Sequence, residues 1–423
     1  MHELMAKLWP INRSLTGEGV RQTLRAISEV AKGLQVHEVA SGTPIYDWVV
    51  PNEWNVTEAW IEGPGGQRVV DFARHNLHLM GYSVPVDRDM DLDELQRHLY
   101  SLPEQPDAIP YMTSYYSPNW GFCVTDRVRR SLPSGRYRVR IAATLGPGSL
   151  TFADVVIPGE RREEILLSTY VCHPSLANNE LSGPVVTAHL AEWIRSAPRR
   201  YTYRLVFVPE TIGSLAYVHQ HYDHLRRHVI AGFNVTCVGD ERCYSYLPTR
   251  LGGTLSDDVV QHVLKHVAGE FTRYSYLDRG SDECQYCAPG IDLPVATLMR
   301  SKYGTYPEYH TSLDDLTLVT PAGLQGSFDA LCRAIEVVEH NRVPRITVLG
   351  EPQLGKRGLY PSINQGDSYE GIRPMMDMIA YSDGRHSTLE IAERIGVPAW
   401  TLEPIFQRLA AHGLMEDLSD QAR

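Results

Sequence analysis

The sequence predicts an α/β protein: a mixed, mostly parallel sheet flanked by helices, with a small β-rich insert and a C-terminal winged-helix domain. Three observations carry that expectation. Apolar strand patterns alternate with helical ones through the middle of the chain. The stretch before them has short elements and is rich in Trp, Tyr and Pro. The end holds a run of helical patterns followed by a short apolar segment.

Taken in order, a helix is expected over Gly17–Lys32, then strand-like "LQVHEVAS" and "IYDWVV". Residues 54–134 are read as the inserted β-rich domain, with a brief helix over Asp91–Leu99. Its segment "IPYMTSYYSPNWGFC" suits a cleft wall, and equally the interior of a small domain. The α/β domain is assigned to 1–53 and 135–342. There "RYRVRIAA", "EEILLSTYV", "YRLVFVPE", "IAGFNVTCVGD" and "PVATLM" read as strands. "GPVVTAHLAEWIRSA", "IGSLAYVHQHYDHLRRH", "DDVVQHVLKHVAG" and Pro321–Glu339 have helical spacing. In 346–423, after the Gly- and Pro-punctuated "RGLYPSINQG", helices are expected at "RPMMDMIAYSD", "TLEIAERIG" and "PAWTLEPIFQRLAAHG". Met375, Met376, Ile379, Leu389, Ile391, Ile395, Ile405, Leu409 and Leu414 can form their core.

A chain of 423 residues, 43% hydrophobic and 22% charged, has room for two or three ordinary globular domains. The formal charge of -11 argues against a broad nucleic-acid footprint, and the C-terminal module is itself acidic. Contacts between subunits, as in a homo-oligomer, or with a partner protein suit it better. No apolar run reaches the length of a membrane span, and the start lacks the apolar core of a signal peptide. Seven scattered cysteines fit a reducing cytoplasm rather than a disulfide framework. Cys284 and Cys287 form a C-x-x-C without a second pair to complete a zinc site.

Four strand-end motifs carry metal-type or acid–base side chains: "CHPSLANNELSG" with His173, "VPETIGS" with Glu210, "CVGDERCYSY" with Asp240, and "PEYHTSLDD" with His310, Asp314 and Asp315. In parallel sheets such ends converge on a ligand crevice. Imidazole and carboxylate suit zinc, and an incomplete protein shell leaves a place for water.

The order and spacing of these motifs resemble the zinc aminopeptidase superfamily that includes bacterial leucyl aminopeptidases and glutaminyl cyclases. "PINRSLTGEGVRQTL", "DWVVPNEWNV", "IPYMTSYYSPNWGFC", "GSDE" and the winged helix resemble one branch of it. That branch is the aminopeptidase-like family first classed as a domain of unknown function and found near polysaccharide or natural-product genes. The resemblance implies a metal set of His173, Asn179, Asp240 and His310, with Glu210 as general base. It also implies that Asn179 stands where the superfamily has a zinc-bridging aspartate, and Thr211 where it has a second glutamate. One zinc ion is therefore expected rather than two.

The activity implied is zinc-dependent hydrolysis of an amide in a small peptide or aminoacyl conjugate. Tyr244, Tyr246 and Tyr309 are candidates for binding an oxyanion. Arg250, Arg300 and Lys302 are candidates for an anionic substrate group, with surface roles as the competing reading. Asp282 and Glu283 are candidates for orienting a ligand or holding an amine. Tyr115, Tyr116 and Trp120 are candidates for the cleft wall. The alternative is a catalytically impaired protein that binds a ligand or partner on the same fold; a transcription regulator rests on the winged helix alone.

Overall fold

The computed structural model describes residues 1–360 and 366–420, so "RGLYPSINQG" lies partly outside the described residues. It divides into two compact units, one of 1–256 and 272–328, the other of 257–271 and 329–423.

The first unit is organised by an eight-stranded sheet. Its strands are β1 (Gln35–Ala40), β2 (Ser149–Ile157), β3 (Glu164–Tyr170), β4 (Thr202–Val208), β5 (Val229–Asn234), β6 (Ser245–Leu247), β7 (Thr272–Arg273) and β8 (Val295–Met299). They lie in the order β1-β2-β4-β3-β5-β8-β6-β7. The centre is parallel, through β4/β3, β3/β5 and β5/β8, while β1/β2, β2/β4 and β8/β6 are antiparallel. Every residue of β3 and β8 is buried, as expected for central strands covered on both faces. Helices Ser182–Arg195 and Ile212–His228 follow β3 and β4 and lend their apolar sides to that cover. A Cβ at Gly183 would stand 2.3 Å from the Val235 carbonyl oxygen, so only glycine permits this approach of helix and strand end.

One strand departs from the sequence reading. "RYRVRIAA" begins Arg136–Gly146, which joins the insert and not the central sheet: it pairs with Glu53–Glu62 and with Val86–Asp91. A strand pattern reveals burial but not the partner, and here the strand lies between two strands of the insert. Backbone bonds also tie the insert to the loop carrying His310, from Tyr111 N to His310 O (2.8 Å) and from Ser312 N to Ile109 O (2.9 Å).

At the change from antiparallel to parallel pairing lies a buried ionic knot. Arg204 on β4 donates to both oxygens of Glu164 (2.6 and 3.0 Å), to Asp154 (3.2 Å) and to the Tyr217 hydroxyl (2.8 Å).

The second unit holds helices Gly366–Tyr381, Thr388–Ile395 and Glu403–Ala411, and Pro344–Ile346 pairs antiparallel with Met415–Asp417. Ser387 and Glu390 form a capping box and Gly396 closes the middle helix in the left-handed region. Met375, Ile379, Leu389, Ile391, Leu409 and Leu414 are buried as expected, whereas Met376, Ile395 and Ile405 are half-buried.

Candidate active site

β3 runs straight into "CHPSLANNELSG", whose Ala177–Leu181 forms a π-helical turn before the long helix. Such turns are rare and concentrate at functional sites. This one is held from outside by the Asp314 carboxylate, which accepts the Asn178 N–H (2.6 Å), the Asn179 N–H (3.0 Å) and the Tyr306 hydroxyl (2.9 Å). Burial outweighs these bonds and raises the Asp314 pKa to about 6.

His173 sits at the head of the turn with both ring nitrogens engaged. Nδ1 lies 2.9 Å from Glu180 and 3.5 Å from the Cys172 sulfur, while Nε2 lies 3.6 Å from Glu210. Burial disfavours an imidazolium there, yet Cys172 and Glu180 outweigh it and raise the pKa of His173. Burial also pushes the Cys172 thiol up to about 11. The sulfur is therefore uncharged at neutral pH, and Glu180 is the anion that counts.

Glu210 follows β4 and precedes Thr211, whose φ of 65° is strained for a β-branched residue. Asp282 supports that turn by accepting the Thr211 N–H and the Ser214 hydroxyl, each at 2.8 Å. The Ser281 hydroxyl donates to Glu210 Oε1 at 2.9 Å. Burial raises the Glu210 pKa; His173 and Ser281 pull it back, and the upward direction survives. Burial and the neighbouring Glu210 push Asp282 up as well. Glu210 also lines a cavity of about 140 Å³ with Leu15, Trp48, Tyr115, Tyr116, Thr211 and Ile212, apolar on most sides.

His310, at φ 56°, stacks on Tyr309 with ring centroids 3.9 Å apart and lies 5.5 Å from the His173 ring. The ring of Tyr111 packs against both imidazoles, at 5.1 Å from His173 and 5.0 Å from His310. Burial and the adjacent His173 push the His310 pKa down to about 3, so its imidazole is neutral at pH 7.

The structure thus brings together His173, Glu210, His310, Tyr309, Tyr115 and Tyr116. Asp240 is placed differently. Its oxygens accept from Asn178 Nδ2 (3.0 Å), Arg242 N (2.9 Å), Ser301 N (3.0 Å) and the Ser301 hydroxyl (2.9 Å), so its lone pairs are occupied. Thr236, not Asp240, adjoins Asn179 at the end of β5: its hydroxyl donates to the Asn179 carbonyl at 3.2 Å. Trp120 is buried and stacks on His98 (3.6 Å) inside the insert. Tyr244 lies under the Arg300 guanidinium (3.7 Å), which donates to Ser327 and to the Gly323 carbonyl. Tyr246 is buried in β6. Arg250 pairs with Asp292 and donates to the Cys287 carbonyl, and Lys302 donates to the Tyr303 carbonyl. Glu283 accepts from Asn234 and from the Gly280 and Ser281 N–H groups. Sequence reasoning missed Arg13, Tyr111, Ser281 and Glu180; for Glu180 the only signal was a carboxylate one position beyond Asn179.

Could these residues hold a metal ion? Two groups of three metal-type side chains lie within 4.8 Å of one another among the described residues. In Cys172–His173–Glu180, Arg13 already stands 3.6 Å from Glu180 as counter-ion. In His262–His266–Glu393, His262 accepts the Ala399 N–H (2.8 Å) and Glu393 pairs with Lys265 (2.8 Å). Neither is an open ligand set. The better signal is a pair of buried atoms without hydrogen-bond partners, His310 Nε2 and Asn179 Oδ1. Asn179 is oriented by donating from Nδ2 to the Tyr170 hydroxyl (2.7 Å), which leaves Oδ1 bare. With His173 Nε2 these atoms make up an N,N,O set of the donor types that a borderline cation takes. Residue 179 is an amide, Thr211 is not a carboxylate, and Asp240 already accepts four hydrogen bonds.

The fold is that of an aminopeptidase-like protein. A zinc aminopeptidase from Bacillus subtilis superposes with a TM-score of 0.57 at 12% identity, over 80% of this chain and 93% of that one. Residues 2–341 match the family described as a domain of unknown function, DUF4910, and 342–417 match a winged helix-turn-helix family. A Clostridium acetobutylicum protein, named for polysaccharide biosynthesis and an aminopeptidase-like domain, is 42% identical over 94% of this chain and 91% of its own. A crystal structure from the same organism, described as a peptidase, has a TM-score of 0.92 at 40% identity over 98% of this chain and 95% of that one. The chain belongs to the DUF4910 family.

Proposed function

We propose that the protein hydrolyses an amide in a small peptide or aminoacyl conjugate, with Glu210 as general base and one zinc ion held by His173, Asn179 and His310. The observation that carries this reading is Glu210 itself: a half-buried carboxylate of raised pKa, oriented by Ser281, open to a cavity and 3.6 Å from His173 Nε2. The Clostridium relative's name, with its aminopeptidase-like domain, supports amide hydrolysis.

The chemistry supplied by such an ion is Lewis acidity, which makes a nearby water more acidic and polarises an amide carbonyl. Glu210 Oε2 takes the proton from water, while Ser281 holds Oε1 and keeps the carboxylate aimed. The same carboxyl then returns the proton to the leaving amine. The aromatic and aliphatic cavity walls seat the apolar part of the substrate. Neutral Tyr115, its pKa raised to about 12 by burial, can donate a hydrogen bond there.

Asn179→Asp tests the metal set. It is expected to strengthen zinc binding roughly tenfold or more, the scale on which changes around a metal alter affinity. Calorimetric titration of the purified variant checks this; unchanged or weaker binding excludes residue 179 as a ligand. The neutral Asn179 and Thr211 favour one second reading, a ligand-binding protein without turnover. Zinc content after purification without chelator separates the two.

For the winged helix the proposed partner is protein, a second copy of this chain included, and not DNA. Two of its arginines are engaged by carboxylates: Arg342 with Glu403 and Asp417, each at 3.1 Å, and Arg345 with Glu416. Duplex DNA titrated at low salt is expected to give no tight, salt-sensitive binding; such binding would revive the regulator. No helix among the described residues is long and apolar enough to cross a membrane.

A further inference from the structure

Arg13 and Glu180 have no part in the chemistry above, yet both side chains are fully buried. Burying a carboxylate and a guanidinium is unfavourable unless each finds close partners, so what they hold matters. Glu180 Oε2 lies 2.9 Å from His173 Nδ1. Its other oxygen, without a hydrogen bond, faces Arg13 Nε at 3.6 Å. That same Nε donates to the backbone carbonyl of His173 at 2.9 Å, and Nη1 donates to the Leu8 carbonyl at 2.8 Å. His173 is therefore gripped twice by one ion pair, by its backbone through Arg13 and by its ring through Glu180.

The consequence follows from imidazole chemistry. A carboxylate on Nδ1 fixes a proton there, which leaves Nε2 as the nitrogen presented outward. Here Nε2 is the atom beside Glu210. Arg13, 3.6 Å from Glu180, stands as its counter-ion and holds the acceptor in place. The carboxylate lies one position after Asn179, on the inner face of the histidine, and the segment "PINRSLTGEG" supplies its counter-ion.

We propose that Glu180 and Arg13 are positioning residues that hold His173 with Nδ1–H turned inward and Nε2 turned to the cleft, and thereby set the affinity of that nitrogen for a divalent cation. The second clause rests on the metal reading above; the first does not.

Removing one member alone would strand a buried charge, so the informative variant is the double replacement Arg13→Met/Glu180→Met, which removes the pair together. Two readouts are taken on the full chain: long-range 1H–15N correlation spectra of labelled histidines, with His173 assigned by its loss in His173→Gln, and calorimetric titration with zinc chloride. In the unsubstituted protein His173 Nδ1 is expected to carry a proton. In the double variant Nδ1 is expected to lose that fixed, hydrogen-bonded signature, and zinc affinity to fall about 10- to 100-fold.

A wild-type His173 with bare Nδ1, or a double variant with the same spectrum, overturns the positioning role. The altered spectrum with zinc affinity within about twofold of wild type overturns only the link to the cation. If neither protein binds zinc, the metal reading fails while the spectrum still decides the positioning role. If the double variant does not fold, Arg13→Lys, which keeps the charge but loses the two-point grip, is read for the same Nδ1 signature.

Discussion

Glutamine at position 210 is expected to lower amide hydrolysis at least ~100-fold, the usual worth of a positioned acid–base group. The substitution is nearly isosteric, and its amide oxygen can still accept the Ser281 hydroxyl that holds Oε1 at 2.9 Å. Fold and metal content should therefore survive, while the atom that takes a proton from water is gone. Turnover of aminoacyl amides and short peptides with free amino termini, with circular dichroism and zinc analysis as controls, measures the effect. Unchanged turnover removes Glu210 from the mechanism. Burial raises the Glu210 pKa, and a base must be deprotonated, so wild-type activity should fail on the acid side at a pH above the ordinary carboxylate range.

Arg204→Met is expected to be the most destabilising replacement, by about 3–5 kcal/mol, because it leaves Glu164 and Asp154 buried without their cation. All three side chains are less than one-tenth exposed. Denaturant unfolding measures the loss, and a change below about 1 kcal/mol would show that the knot is dispensable. The knot also has a pH signature. Burial acts to raise the Glu164 pKa, but the Arg204 bonds outweigh it and the pKa is lowered. A depressed carboxylate stabilises the fold above its unfolded value of about 4.3, and that contribution is lost as pH falls through the folded value. Wild type should therefore lose its advantage over Arg204→Met in that acidic window.

His173, Glu210 and His310 were legible in the sequence because each follows an apolar strand run or closes a polar loop, where a parallel sheet gathers its strand ends. Asp240 had the same local signature. What the sequence could not show is that its loop folds back on Asn178 and Ser301, which fill the carboxylate's lone pairs. Arg13 was illegible for a different reason: it meets His173 across 160 positions, and nothing local marks an arginine as destined for burial. The aromatic segment of the insert was ambiguous by composition. Packing divided it, with Tyr115 and Tyr116 at the cavity and Trp120 inside the insert. Strands of the central sheet were found by their apolar runs, while the pattern of Arg136–Gly146 did not name its partners in the insert.

The contacts that complete the cleft also impose a timetable on synthesis. Asn178 and Asn179 are held by Asp314, and Tyr111 is bonded to the backbone of His310, so segments made early wait for one made late. Long-range closures of this kind come late in folding. A nascent chain that ends before the His310 loop lacks one imidazole and the brace of the π-helical turn, even when β3, β4 and Glu210 have already emerged. Under the proposed function, a ladder of C-terminal truncations is expected to show hydrolysis only once the His310–Asp314 loop is present, rather than in proportion to length.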